Sequence, residues 1–424
     1  MTLIERDKML VWHPYSDNEL YGTPIPVVSA KGSYLFDENG QKYIDAVSSW
    51  WTSIHGHSHP HIAQKVSEQI RKLDHVIFSG FTHESAVLLA EKLIKRLPLN
   101  QKKIFYSDNG STAVEVALKM AFQYWHNRGQ VRTKVIAFKN AYHGDTFGAM
   151  SVSGRGIFTK PFQDLLFDVV YVDVPTPGKE MQVVLELKSL LSNTHDQVAC
   201  FIFEPLVQGT AGMVMYEPEV LNELLLICKE NCVLTIADEV MTGFGRTGKF
   251  FACDHLSIQP DLFCLSKGLT GGTMAMGVTS CTQQIFDTFD GAASNSFFHG
   301  HSYTANPIAC SAGIASLELF DTKNTFIDIA LISEMHKNFV SEIVNYSTVK
   351  QARSRGTILA IELITGKDTS YFNEMRNKSY HFFINKGILM RPLGNIIYVL
   401  PPYCISADDL NYIYKTIKEF LESI

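Results

Sequence analysis

The sequence predicts an α/β protein: a mostly parallel sheet in a large domain, joined to a smaller α+β domain. Three observations predict it. Short, strongly apolar runs recur between amphipathic segments from about residue 135 to residue 268. No apolar run approaches the ~18–20 residues of a bilayer span. Beyond Asn306 the texture changes to long helical stretches around isolated strand-like runs. At roughly 150 residues per domain, 424 residues leave room for two or three domains. Hydrophobic residues make up 46% of the chain and charged residues 19%, which excludes a disordered polymer. Against 43 Asp+Glu stand 37 Lys+Arg, a net charge of −6 with no clustered basic run, which argues against nucleic-acid or anionic-membrane partners. The N-terminus, MTLIERDKMLVWHPY, mixes both signs of charge and has no apolar core, so it does not read as a secretory signal.

Each element follows in order. GSYLFDENGQKYIDAVS reads as two strands around Asn39-Gly40, the pair favoured by a two-residue type I′ hairpin. Helical periodicity then covers about 61–73, 84–97 and 111–128. The apolar runs VIAF (135–138), VVYVDV (169–174), ACFIFEPLV (199–207), VLTIADEV (233–240) and LFCLSKG (262–268) alternate with amphipathic segments, the pattern of a parallel sheet covered on both faces. A long helical stretch from Asn306 leads to TILAIEL, a further helix, the strand-like ILMRPLGNIIYVLPPY and a terminal helix. Eight cysteines are scattered without any CxxC, which reads as buried reduced thiols in a cytoplasmic protein.

In a sheet of this kind ligands sit at the carboxyl ends of the strands. Asp238 ends VLTIAD, and Lys267 ends LFCLSK ahead of Gly268, Gly271 and Gly272. A lysine between buried strand and glycine can be desolvated, which lowers its pKa and prepares the amine for Schiff-base chemistry. A carboxylate nearby could keep a pyridinium nitrogen protonated. A plain Asp–Lys ion pair at a sheet edge fits the same spacing. Asn109-Gly110-Ser111 stands before a long amphipathic helix, where backbone N–H groups favour a phosphate or simply cap the helix. Tyr142, after VIAF, could lie on a cofactor ring or belong to the core. Gly243-Phe-Gly245-Arg-Thr-Gly248 matches G-x-G-x-x-G, but neither a helical pattern nor a strand ending in an acid follows. As a P-loop it fails at Phe250, where Ser or Thr would hold magnesium. His55, His57, His59 and His61 alternate, yet Pro60 interrupts them and no acidic or cysteine cluster accompanies them, so a polar loop near a ligand cleft is expected rather than a metal site.

DNGSTAVEVALK, YHGDTFGAMSV, FEPLVQGTAGM, IADEVMTGFGRTG, LSKGLTGG and FFHGHSYTANPIAC together resemble the class III (subgroup II) pyridoxal-phosphate aminotransferases over nearly the full chain. The resemblance implies the fold type I architecture of PLP-dependent transferases. It also implies an N-terminal segment 1–55 joining the small domain, a PLP-binding domain at 56–315 and a small C-terminal domain at 316–424. WHPYS, Trp50-Trp51 and RPLGNIIYVLPPY are most similar to members that aminate 8-amino-7-oxononanoate in biotin biosynthesis. S-adenosylmethionine is the donor that this similarity implies, by a ping-pong cycle through the pyridoxal and pyridoxamine phosphates. A lysine-using variant and a broad ω-amino-acid or diamine transaminase stay open. By matched position, Lys267 would be the Schiff-base lysine and proton shuttle, Asp238 the partner of the ring nitrogen, and Tyr142 its stacking residue. Gly110 and Ser111 would hold the phosphate, with Ser302 contributed by the second subunit of a homodimer whose active site lies at the interface. Tyr15, Trp51, Gly300 and Tyr398 match substrate-lining positions, Tyr15 also a catalytic one. Arg391 matches the arginine for the substrate carboxylate, Arg246 a second arginine, and Asp145 a further site position. His301-Ser302 replaces the usual Pro-Thr. Ser302 keeps the hydroxyl, while His301 leaves the loop's shape open.

Overall fold

The computed structural model describes residues 1–15, 22–366 and 369–424; Ser16, the last residue of WHPYS, lies outside them. In chain order the strands are β1 (Val27–Lys31), β2 (Tyr34–Asp37), β3 (Lys42–Asp45), β4 (Gln101–Ser107), β5 (Lys134–Phe138), β6 (Val169–Val172), β7 (Val198–Phe203), β8 (Val207–Gln208), β9 (Val214–Met215), β10 (Leu234–Asp238), β11 (Leu262–Leu265), β12 (Gly277–Thr282), β13 (Val349–Arg355), β14 (Ile358–Leu363), β15 (Ile388–Leu389) and β16 (Ile396–Val399). The chain divides into two compact units, one from 61–323 and one from 1–60 with 324–424. None of the described helices is long and apolar enough to cross a membrane.

In the unit 61–323 a seven-stranded sheet runs β4-β12-β11-β10-β7-β5-β6. The strands from β11 to β6 pair in parallel, whereas β12 is antiparallel to both its neighbours. Every residue of β7, β10 and β11 is buried, as expected when helices cover both faces. The helix Gly110–Asn127 lays Ala113, Ala117, Ala121 and Trp125 into a core shared with Val135, Ile202 and Ile236. The small residues let it approach the sheet closely, and Trp125 anchors its far end by donating Nε1–H to the Ala199 carbonyl at 2.9 Å. The Arg132 guanidinium stacks on that indole at 3.4 Å. Parallel pairing aligns the ends of β7, β10 and β11, so Glu204, Asp238 and Lys267 leave the same edge of the sheet.

The unit built from both chain ends carries two sheets, β1-β2-β3-β15 and β13-β14-β16. The β2–β3 hairpin forms, but its turn differs from the expected type I′. The last paired residues are Phe36 and Lys42. Asp37 N–H donates to the Gln41 carbonyl, and the Asp37 carboxylate accepts from Asn39 and Gln41 N–H at 2.9 and 2.8 Å. A type I′ turn needs two residues at positive φ; here only Gly40 supplies one, at +79°. The Asp37 carboxylate thus favours a longer loop closed by a single left-handed glycine. All eight cysteines are free, but Cys232 and Cys404 are exposed, so burial holds for the other six only.

Candidate active site

At the sheet edge of the unit 61–323, Asp238 Oδ1 accepts from Val240 N–H at 3.1 Å and Oδ2 from His143 Nδ1–H at 2.7 Å. Both side chains are almost wholly buried. A carboxylate only accepts, so the imidazole must present its N–H to Asp238. Lys267 follows β11 and takes a left-handed backbone, φ +46°, in the short turn 267–270. It keeps a little exposure, yet protein packed round its amine depresses its pKa to about 8; Asp238 and Glu204 oppose that shift and Arg246 adds to it. Glu204, one residue beyond β7, is pushed well above the carboxylate range by burial and by Asp238, even though Gly209 N–H, Lys267 and the Tyr142 backbone N–H favour its charge. The edge therefore brings together Lys267, Asp238, Glu204, His143 and the Tyr142 backbone. Arg246 is fully buried within reach of the Lys267 charge.

Beside them, Asn109 caps the helix Gly110–Asn127 by accepting Thr112 N–H at 2.9 Å. Ser111 Oγ meets Thr146, accepting its N–H at 3.0 Å with the two hydroxyls 2.8 Å apart. Glu115 then takes Thr146 Oγ1–H at 2.5 Å and the Gly148 and Ala149 N–H groups at 2.7 and 3.0 Å. A Cβ on Gly144 would lie 2.2 Å from Ser111 Oγ, and one on Gly110 would lie 2.7 Å from Val240. This glycine-lined helix start fits a phosphate. Asp145, Gly300 and Ser302 are exposed, Gly300 just before the turn 302–305 and Ser302 at its start. In place of proline, His301 donates its N–H to Thr304 Oγ1 at 3.0 Å and accepts Tyr303 N–H on Nδ1 at 3.2 Å. Proline could make neither bond, so the loop is built around the histidine.

The other unit gathers a second set. Trp51 donates Nε1–H to the Tyr398 hydroxyl at 3.1 Å, both residues buried. The Arg391 guanidinium lies 4.2 Å over the Trp50 ring, and the Tyr15 ring meets Trp50 edge-on at 5.6 Å. Tyr15, Trp50 and Arg391 thus form one contact group and Trp51 with Tyr398 another, on the two neighbouring tryptophans.

The alternating histidines separate. His57 binds Asp45 at 2.8 Å, His61 binds Glu318 at 2.8 Å, and the His55 ring packs near those of His59 and Tyr403. No group of three His, Cys, Asp or Glu among the described residues is arranged to hold a metal ion. The GFGRTG segment turns back on itself, Gly245 N–H to Phe250 C=O and Gly248 N–H to Gly245 C=O, and a short 3₁₀ turn follows instead of a helix.

The class-III aminotransferase family model matches residues 15–421. The chain belongs to this family. Among its relatives is the adenosylmethionine-8-amino-7-oxononanoate aminotransferase of Synechococcus elongatus, 44% identical, with 98% of this chain and 99% of that one covered. The Methanocaldococcus jannaschii enzyme of the same name has a crystal structure that superposes with a TM-score of 0.94 at 37% identity, covering 99% and 98%. An amine transaminase from an uncultivated Pseudomonas species, solved in its PLP-bound form, gives 0.90 at 27% identity, covering 96% and 97%. The architecture is that of fold type I transferases.

In this class-III aminotransferase, motif reading passes over three residues. Glu204 ends an apolar strand, the same signal that marks Asp238, and His143 directly follows Tyr142. Glu239 is the third: fully buried, it accepts from Thr242 Oγ1 and from Ala252 and Cys253 N–H, fixing the loop that carries Arg246. Burial raises its carboxyl to about 7 against those donors. Nothing in a sequence marks a carboxylate whose backbone partners are amides thirteen and fourteen residues away.

Proposed function

We propose that this chain transfers the amino group of S-adenosylmethionine to 8-amino-7-oxononanoate, a step of biotin synthesis, using pyridoxal 5′-phosphate. The full-length relatives of that name support the substrate pair. The observation that carries the chemistry is Lys267, with its depressed pKa, at a strand end beside a His143-backed Asp238. The residues fit the cofactor: a glycine-lined helix start for phosphate, an accepting carboxylate for a protonated ring nitrogen, and an amine that is neutral in part at neutral pH. When bound, the cofactor supplies an electron sink for the pair left as a proton departs from the amine-bearing carbon.

The chain's own groups do the rest. Lys267, uncharged in part because its surroundings are poorly solvating, takes that proton and returns it to the neighbouring position. Asp238 would accept the ring-nitrogen N–H, and the His143 N–H keeps the carboxylate oriented. Gly110 and Ser111 would hold the phosphate, and Tyr142 would pack on the ring. Arg391 takes the substrate's far carboxylate while Trp50, Trp51, Tyr15 and Tyr398 line its aliphatic stretch; a guanidinium binds a carboxylate in a two-point fork. Arg246, Asp145 and Gly300 complete the site. The protein works in the cytoplasm as a homodimer in which Ser302 reaches the partner's phosphate.

Lys267→Ala should abolish turnover and remove the visible absorption of bound cofactor; full activity in that variant would refute the assignment. A single-turnover mixing experiment tests the donor. S-adenosylmethionine should bleach the visible band, whereas bleaching by lysine alone would transfer the donor role to lysine.

A further inference from the structure

We infer that Asp45 and His57 are positioning residues that clamp the Trp50–Trp51 turn in the shape that receives the substrate's aliphatic chain. The inference rests on the reading of these tryptophans as substrate-lining. Ser48, Ser49 and Trp51 have φ of +49°, +57° and +71°, three left-handed non-glycine residues within four positions. Such a run persists only where the surroundings over-determine it. Asp45, wholly buried at the end of β3, supplies the determination. Its Oδ1 accepts from Val47 and Ser49 N–H at 3.2 and 2.9 Å, and its Oδ2 from Ser49 Oγ at 2.9 Å and His57 Nε2 at 2.8 Å. His57 is itself held, its backbone paired both ways with Gly32, N–H to O at 2.8 Å and O from N–H at 3.1 Å. Four donors therefore converge on one carboxylate, and the fourth comes from outside the turn.

The product of this clamp is a tryptophan pair with divided tasks. Trp51 is buried on Tyr398, while Trp50 is left 36% exposed with one face under Arg391. A core element would bury both rings. A half-exposed indole set by a four-donor carboxylate is instead a wall built to meet a ligand, and a small rotation of the turn would move the indole and the guanidinium stacked on it.

His57→Ala in the holoenzyme removes the outside donor. KM for 8-amino-7-oxononanoate should rise about tenfold, more than kcat falls, with the cofactor's visible spectrum unchanged. His57→Gln, which keeps an N–H for Asp45, should recover most of that loss. Should His57→Ala not fold, Asp45→Asn is the substitute: its amide keeps one accepting oxygen for the backbone but offers Ser49 and His57 a donor instead. It should raise KM in the same way. Trp50→Ala, which removes the half-exposed indole that forms the wall, separates the two ideas. If it leaves KM unchanged, the substrate-lining reading fails. If it raises KM while His57→Ala does not, or if glutamine restores nothing, the clamp is overturned. In the double variant His57→Ala/Trp50→Ala the two effects should not add; full additivity would count against the clamp.

Discussion

His143 Nδ1 lies 2.7 Å from Asp238 Oδ2 at the sheet edge, with both side chains almost wholly buried. Removing the imidazole leaves a buried carboxylate short of one donor. His143→Ala should lower kcat by about tenfold, ~1.4 kcal/mol, the scale of one hydrogen bond to a charged group. His143→Asn, which restores an N–H, should recover part of it. Steady-state kinetics on both variants tests this, and an unchanged kcat in the alanine variant would remove His143 from the site.

Lys267 makes the cofactor-free protein pH-sensitive in a definite direction. Its amine has a pKa of about 8 in the fold against 10.5 when unfolded, so folding disfavours the charged form. The penalty is present in full below pH 8 and disappears as pH rises from 8 to 10.5. Lys267→Met should therefore raise the apoprotein's melting temperature at pH 7, and the difference from the parent should shrink towards pH 10.5. A gap that widens with pH would contradict the burial of this amine.

Glu204 has the opposite sign. Its carboxyl is raised in the fold, so the folded state retains a proton that the unfolded chain gives up, and stability is lost as pH climbs from about 4.5 towards the folded value. Glutamine mimics the protonated form. Glu204→Gln apoprotein should melt at or above the parent temperature at pH 7 and depend less on pH; a loss beyond about 1 kcal/mol would show that the charged form is the one the fold requires.

Gly144 sits at φ +129° with its missing Cβ directed at Ser111 Oγ. Alanine there must displace the hydroxyl or shift the loop, and it is strained at that φ in any case. We expect Gly144→Ala to cost on the order of 2 kcal/mol and to weaken cofactor binding by tenfold or more. Spectrophotometric titration of the apoprotein with pyridoxal phosphate measures it.

Arg391 combines a flat cation with an indole 4.2 Å away. Lysine keeps the charge but loses both the fork and the stacking face. Arg391→Lys should therefore raise KM for 8-amino-7-oxononanoate nearly as far as Arg391→Ala, by tenfold or more. Little change in KM for this substrate would favour a broad ω-amino-acid transaminase.

Much of this fold was legible because burial on both faces of a parallel sheet leaves a continuous apolar run, and Asp238 and Lys267 stand out where such runs stop. β4 and β12 escaped for physical reasons. QKKIFYS exposes two lysines at its start, and GVTSCT hides Thr279 and Ser280 by bonding their hydroxyls to Ala113 C=O and Gln101 Oε1. A buried hydroxyl with a partner looks like a loop in sequence. The turn departs from type I′ because Asp37, outside the Asn-Gly pair, decides the loop through two backbone amides. Asp45 and Glu239 share that reason, since their partners are backbone amides and, for Asp45, a histidine twelve residues on; Glu204 stands at a strand end as Asp238 does.

The pairing of β3 with β15, Ile44 opposite Ile388, sets a timetable for synthesis. At roughly 5–20 residues per second, a ribosome delivers the second strand some tens of seconds after the first. Until then β3 waits with one edge bare, and the turn that Asp45 governs has yet to receive the bond from Ser48 Oγ to the Leu400 carbonyl. A nascent chain stalled short of residue 388 would keep that edge open to other chains, the condition under which strands aggregate. Overexpression conditions that slow elongation near the 3′ end of the message should therefore reduce soluble yield more than slowing elsewhere.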